Sequence, residues 1–128
     1  MTGQFVHLHT HSYFSLLDGA ASPEALVQRA AELGMPALAL TDHDALFGVV
    51  RFYEAAKQAG IPPIVGLELA VGPGGHHVTL LAASDEGYRN LCRLSTEAMT
   101  EAGHVSGAGG TERTVPRERL WEAGDGLI

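Results

Sequence analysis

The 128-residue chain is 45% hydrophobic with a net charge of −7, enough for one domain around one core and too little for two. That acidity repels nucleic acid and anionic membranes overall, so a phosphate-bearing ligand would need local cations. The lone Cys92 excludes an internal disulfide, the start Met1-Thr2-Gly3-Gln4 has no targeting pattern, and no apolar run reaches membrane length; together these point to a cytoplasmic protein with no membrane partner.

Val6 to His9 reads as a short strand, followed by a polar, glycine-containing loop from Ser12 to Ala21. Ser22-Pro23-Glu24 opens a helix with a capping hydroxyl, a proline at the first position and an acid in the first turn. Leu26, Val27, Ala30 and Leu33 form its apolar face and Gly34 ends it. Ala37 to Leu40 is a second, buried strand. Leu46, Val49, Val50, Tyr53 and Ala56 then follow helical spacing, with Arg51, Glu54 and Lys57 outward and Gly60 as the stop. Pro62-Pro63 leads into a third strand, Ile64 to Val71. This alternation predicts an α/β fold with a parallel sheet and right-handed crossovers.

Only Gly72-Pro73-Gly74-Gly75-His76 separates Val71 from a strand running from His77 to Ala83. A parallel crossover needs about a dozen residues, so these strands must form an antiparallel hairpin. Ser84 or Asp85 caps a helix reaching Thr100, with Tyr88, Leu91, Cys92, Ser95 and Met99 inward; Cys92 is therefore a core residue rather than a nucleophile. A glycine-rich loop from Ala102 to Thr111 contains a solvated His104. A short helix spans Pro116 to Ala123, and Asp125-Gly126 turns into Leu127-Ile128 as the first residues of another strand. The chain thus reads as the opening part of a longer protein, residues 1–128 being a partial domain.

The chemistry concentrates in His7-Leu8-His9-Thr10-His11 and Thr41-Asp42-His43-Asp44. Period-two alternation puts His7, His9 and His11 on one face of a strand. The carboxyl ends of parallel strands converge, which brings His9 and His11 to His43. Asp18 can fold back from the first loop, and Glu68 supplies a carboxylate able to bridge two cations. A two- or four-residue hairpin loop puts His77 on the Glu68 face, a three-residue loop His76; the even loops are commoner and favour His77. Imidazoles mixed with carboxylates suit Zn, Mn or Fe better than Ca or Mg, and this many donors point to two or three ions. Asp42 either ligates or orients a ligand histidine, Asp44 either ligates or caps the helix starting at Leu46, and His7 is as readily a core residue as a ligand. Arg89, Arg93, Arg113, Arg117 and Arg119 read as solvated.

His9-Thr10-His11-Ser12, Leu16-Leu17-Asp18-Gly19 and Leu40-Thr41-Asp42-His43 resemble the PHP (polymerase and histidinol phosphatase) superfamily. Phe5-Val6-His7-Leu8-His9, Leu46-Phe47-Gly48, Ile64-Val65-Gly66-Leu67-Glu68, His77-Val78-Thr79-Leu80-Leu81-Ala82 and Glu86-Gly87-Tyr88-Arg89-Asn90-Leu91 are similar to the amino-terminal PHP domain of bacterial C-family DNA polymerases. Gly48-Val49-Val50-Arg51-Phe52 leans to their error-prone branch. The resemblance implies a distorted seven-stranded (β/α) barrel with a trinuclear centre of Zn, Mn or Fe. Its ligand motifs fall on His9, His11, Asp18, His43, Glu68 and His77, with Asp18 and Asp42 as catalytic candidates and the remaining ligands expected beyond Ile128. It further implies a metal-dependent phosphoesterase, a 3′–5′ exonuclease on a DNA end, working beside other polymerase domains and a proofreading or clamp partner. A catalytically silent structural module and a free-standing phosphomonoesterase are the competing expectations; the 128 residues alone are expected to be inactive.

Overall fold

A computed structural model describes residues 5–100 and 113–128. Helix α1 (Pro23–Glu32) begins as the sequence predicts: the Ser22 hydroxyl accepts a hydrogen bond from the Ala25 amide at 3.2 Å, and proline occupies the first turn. Gly34, at φ 66°, ends it in the left-handed region that suits glycine. Strand β1 (Leu38–Leu40) follows, then helix α2 (Val49–Ala59), strands β2 (Pro63–Val71) and β3 (His76–Leu81), helix α3 (Asp85–Met99) and the short helix α4 (Arg117–Glu122). The sheet order is β1-β2-β3, with β1 and β2 parallel and β2 and β3 antiparallel. The α/β class and the hairpin are both as predicted.

Three local expectations give way. The first strand is reduced to one bridge, His7 to Leu38. Its two bonds to β1, Ala39 N to His7 O at 2.9 Å and Thr41 N to Thr10 O at 2.8 Å, advance by two residues on one side and three on the other. The first segment therefore carries an extra residue, a bulge that ends regular pairing. Helix α2 starts at Val49 behind Gly48, with no side-chain cap; Asp44 does not cap it, and Leu46 to Gly48 form a turn. Consequently its buried face is Val49, Phe52 and Ala56, while Val50 and Tyr53 are 66% and 50% exposed. In α3 the inner face is rotated likewise: Leu91, Leu94, Ser95 and Ala98 are buried, Cys92 is half-buried, and Tyr88 and Met99 are exposed. The 102–111 loop and His104 lie outside the described residues.

Two apolar clusters hold the molecule. One joins α1, β1 and α2 through Val27, Ala30, Leu38, Leu40, Phe52, Ala56 and Ile61. Phe52 is fully buried there; a phenylalanine at such a site is worth about 3–5 kcal/mol over alanine. The other joins Leu67, Leu69 and Val71 of β2 to Leu91, Leu94 and Ala98 of α3 and to Val115. Because strand side chains alternate, committing Leu67, Leu69 and Val71 to α3 turns Glu68 and Ala70 to the opposite face. Arg119 reaches from α4 to Glu97 of α3 at 2.9 Å and also meets Glu122, so it is a tie between helices rather than a solvated charge. Leu127-Ile128 pairs antiparallel with the end of β3, through Ile128 N to Leu81 O at 2.9 Å and its reciprocal at 2.8 Å, which is the extra strand start the sequence suggests. No helix among the described residues is long and apolar enough to cross a membrane.

Candidate metal centre

Past the end of β1 the chain continues as Thr41-Asp42-His43, and His43 makes a parallel bridge to Glu68 in β2. The first segment runs beside it, with Thr10 clasped on both sides: its amide donates to Thr41 Oγ1 at 2.9 Å, and its carbonyl accepts from Thr41 N. These bonds set His9 and His11 on either side of Thr10 over the Glu68 face. From the other flank, the hairpin places Val71 opposite His76 and Ala70 opposite His77. The four residues Gly72–Gly75 form its turn, so His77 shares the face of Glu68 and His76 takes the other, as the even-loop register predicts.

The loop after His11 is tied by Asp42, which is 2% exposed. Its carboxylate accepts from Ser12 N at 2.6 Å, Ser12 Oγ at 2.7 Å and Ser15 Oγ at 2.7 Å. Ser15 Oγ in turn accepts from the His43 amide at 3.1 Å. The loop then closes tightly, with Asp18 N and Gly19 N both donating to Ser15 O at 3.0 and 2.9 Å. Gly19 lies so close to the Ser12 carbonyl that a β-carbon there would stand 1.9 Å from the oxygen. The result is a rigid turn that carries Asp18 back to the end of the sheet.

Six side chains meet there. Glu68 is the hub: Oε2 is met by His9 Nε2 and, at 3.0 Å, by His11 Nε2, while Oε1 is met by His77 Nδ1 at 2.5 Å and His43 Nδ1 at 3.3 Å. Asp18 Oδ2 bridges His11 Nδ1 at 2.9 Å and His43 Nε2 at 2.8 Å. The donors fall into three overlapping triads, His9/His11/Glu68, His11/Asp18/His43 and His43/Glu68/His77, each with its donor atoms within 4.8 Å of one another. Four imidazoles around one buried carboxylate, with two ring nitrogens only 3.2 Å apart, form a donor set that fits transition-metal ions.

The electrostatics follow from this crowding. Burial works to raise the Glu68 pKa, but hydrogen bonds from His11 and His9 and the nearby His43 outweigh it, leaving the carboxyl below its ordinary 4.5. Hydrogen bonds from His43 and His11 hold Asp18 below its ordinary 3.8. A depressed carboxyl contributes stability that is present above its unfolded pKa and lost as pH falls through the folded value. In the metal-free protein, the Glu68 contribution should therefore vanish on acidification below about 4.5. Thermal unfolding of wild type and Glu68→Gln across that window checks this: the difference between them should shrink towards the acid end.

The remaining candidates stand apart. Asp42 belongs to none of the triads, and its oxygens serve the loop serines. His7 is exposed against the Phe5 ring, at 4.8 Å between centroids. His76 is exposed. Asp44 takes φ 56° and bonds through its backbone, N to Glu68 O at 2.8 Å and O from Ser95 Oγ at 2.7 Å. Its Oδ1 is buried without a partner, and burial pushes its carboxyl up. Arg89 pairs on the surface with Glu86. Sequence reading missed Ser12 and Ser15, both nearly fully buried; hydroxyls in a loop next to a histidine pair were the only signal.

Residues 7–128 match the family described as the PHP domain. The chain belongs to that family. This PHP domain is 57% identical over 94 residues to the error-prone DNA polymerase of Symbiobacterium thermophilum, covering 73% of the chain and 9% of that protein. It is 44% identical over 130 residues to DNA polymerase III subunit alpha of Escherichia coli, covering 98% of the chain and 11% of the relative. The chain thus spans about a tenth of the length of the curated relatives it matches. Among solved structures it is similar to an amidohydrolase from Chromobacterium violaceum with bound sulfate and no metal, at 35% identity and TM-score 0.59 over 73% of this chain and 32% of that one. It is also similar to a protein of Bifidobacterium adolescentis named a metal-dependent phosphoesterase, at 26% identity and TM-score 0.51 over 93% and 49%. The phosphoesterase neighbour and the donor cluster support a metal cofactor for the PHP domain.

Proposed function

We propose that this PHP domain is the metal-dependent phosphoesterase module of a bacterial C-family DNA polymerase, acting as a 3′–5′ exonuclease on a DNA end. One observation carries the reading: a buried glutamate shared between two of three overlapping donor triads. His9, His11, Asp18, His43, Glu68 and His77 would hold two or three ions of Zn or Mn, with Fe as a further fit to the donors. Bound ions supply Lewis acidity, generate a nucleophile near neutral pH and neutralise phosphoryl oxygens. Within the chain, Glu68 spaces the triads through its two oxygens. Asp18, held below its ordinary pKa by hydrogen bonds from His43 and His11, would present a carboxylate rather than a carboxylic acid to a bound ion. Asp42 positions that loop. The polymerase relatives support DNA and the other polymerase domains as partners; a proofreading or clamp protein and a cytoplasmic setting belong to the same proposal.

The test uses the full-length protein carrying this domain, given a 3′-mismatched primer–template and a small chromogenic phosphodiester. Hydrolysis should disappear on chelation and return with Mn or Zn. A preparation shown by elemental analysis to be fully loaded, yet hydrolysing neither substrate, would instead assign the site a structural role.

A further inference from the structure

The loop that delivers Asp18 also holds Leu16 and Leu17 out in solvent, at 84% and 109% exposure. Isolated exposed leucines are ordinary; these are adjacent, immediately precede a donor of the cluster, and sit on a turn fixed at both ends. Ser15 O holds the amides of Asp18 and Gly19, and Tyr13 N bonds Ala21 O at 2.8 Å. Leu17 moreover adopts φ 67°, a left-handed conformation that a leucine adopts only at a cost and that persists where its surroundings impose it. Asp42, buried beneath, anchors the start of that turn through Ser12 and Ser15.

We infer that Leu16 and Leu17 form an apolar wedge that packs against the terminal base of a nucleic-acid strand and parts it from its neighbour as the end enters the triads. The inference rests on the phosphoesterase reading of that site. At net charge −7 the domain has little general attraction for a polyanion, and the donor cluster contains only imidazoles and carboxylates. Within this chain, apolar contact with the base can therefore add to the hold that bound ions would have on the phosphate. Leucine side chains act as such wedges between base steps in other nucleic-acid binders. A base stacked on its neighbour also limits how closely its own phosphate can approach the donors, so unstacking and approach are one movement.

The full-length protein is mixed with a hydrolysis-resistant phosphorothioate single strand whose 3′-terminal base is 2-aminopurine, which brightens when unstacked. Wild type should brighten the probe. Leu16→Ser and Leu17→Gly should lose most of that response, and the ratio of kcat/KM for an oligonucleotide to that for a small chromogenic phosphodiester should fall about tenfold. Leu17→Gly should not lower Tm, because glycine accepts the left-handed backbone. Brightening that is absent in wild type, or intact in both variants, overturns the wedge even if hydrolysis is present. Leucine-dependent brightening without hydrolysis leaves the wedge standing and removes the phosphoesterase reading.

Discussion

Glu68→Gln should empty most of the centre in one step. Glutamine keeps the size of the side chain but removes the charge that faces four imidazoles, and it offers one acceptor oxygen where the glutamate offers two. Because Glu68 belongs to two of the triads, His9/His11/Glu68 and His43/Glu68/His77 fail together. Changes around bound metals that only perturb a ligand already cost about 10–100-fold in affinity or activity; loss of the shared ligand should exceed about a hundredfold. His77→Ala removes a donor from one triad only and should leave more metal behind. Elemental analysis of the three proteins, purified identically, checks the order. Equal metal in wild type and Glu68→Gln would show that the carboxylate holds no ion.

Asp42→Ala should be the most destabilising single change around the site. It leaves Ser12 N, Ser12 Oγ and Ser15 Oγ buried without their acceptor. Hydrogen bonds to a charged acceptor are worth about 1.5–3 kcal/mol each and a stranded donor costs about 1–3 kcal/mol, so a loss of about 4 kcal/mol, on the order of 10–20 °C in Tm, is expected. The Asp18 turn then loosens, so metal affinity should drop as well. Asp42→Asn, with one amide oxygen retained, should fall between. Denaturant unfolding of the metal-free proteins separates this from a role in chemistry: an aspartate acting at the reacting atoms would lose kcat as asparagine while unfolding at the wild-type midpoint.

What could be read in advance was periodic or topological. The α1 cap at Ser22, the parallel pairing of β1 with β2 and the hairpin register all follow from local rules: a hydroxyl before proline, strands separated by a helix, and a turn too short for a crossover. The gathering of His9, His11, Asp18, His43, Glu68 and His77 follows from that topology, because strand ends and one even-length hairpin already fix the faces. The failures share a different cause. A bulge between His7 and Thr10 has no period to announce it, and it removed the first strand and sent His7 away from the cluster. The α2 phase slipped because its start was misplaced: reading it from Leu46 rather than Val49 turned Val50 and Tyr53 inward and hid Phe52, whereas the α3 face slipped although Ser84 caps that helix as expected. Asp42 and Asp44 looked alike beside His43, yet one is consumed by loop serines and the other bonds through a left-handed backbone. Nothing in the order of residues distinguishes them, since the difference lies in which distant hydroxyl each meets.

The division of the interior into two apolar clusters places the six donors on either side of a seam. His9, His11, Asp18 and His43 travel with the half built on α1, β1 and α2, and Glu68 and His77 with the half built on β2, β3 and α3. Proteins open in cooperative blocks that follow such boundaries, and a ligand held by two blocks at once raises the free energy of separating them. Hydrogen exchange of the metal-free domain should resolve two protection levels, one for the amides of α1 and α2 and one for those of β3 and α3. Loading should merge them, so that the ions act as a rivet through the domain: the same donors that would serve hydrolysis make two folding units behave as one.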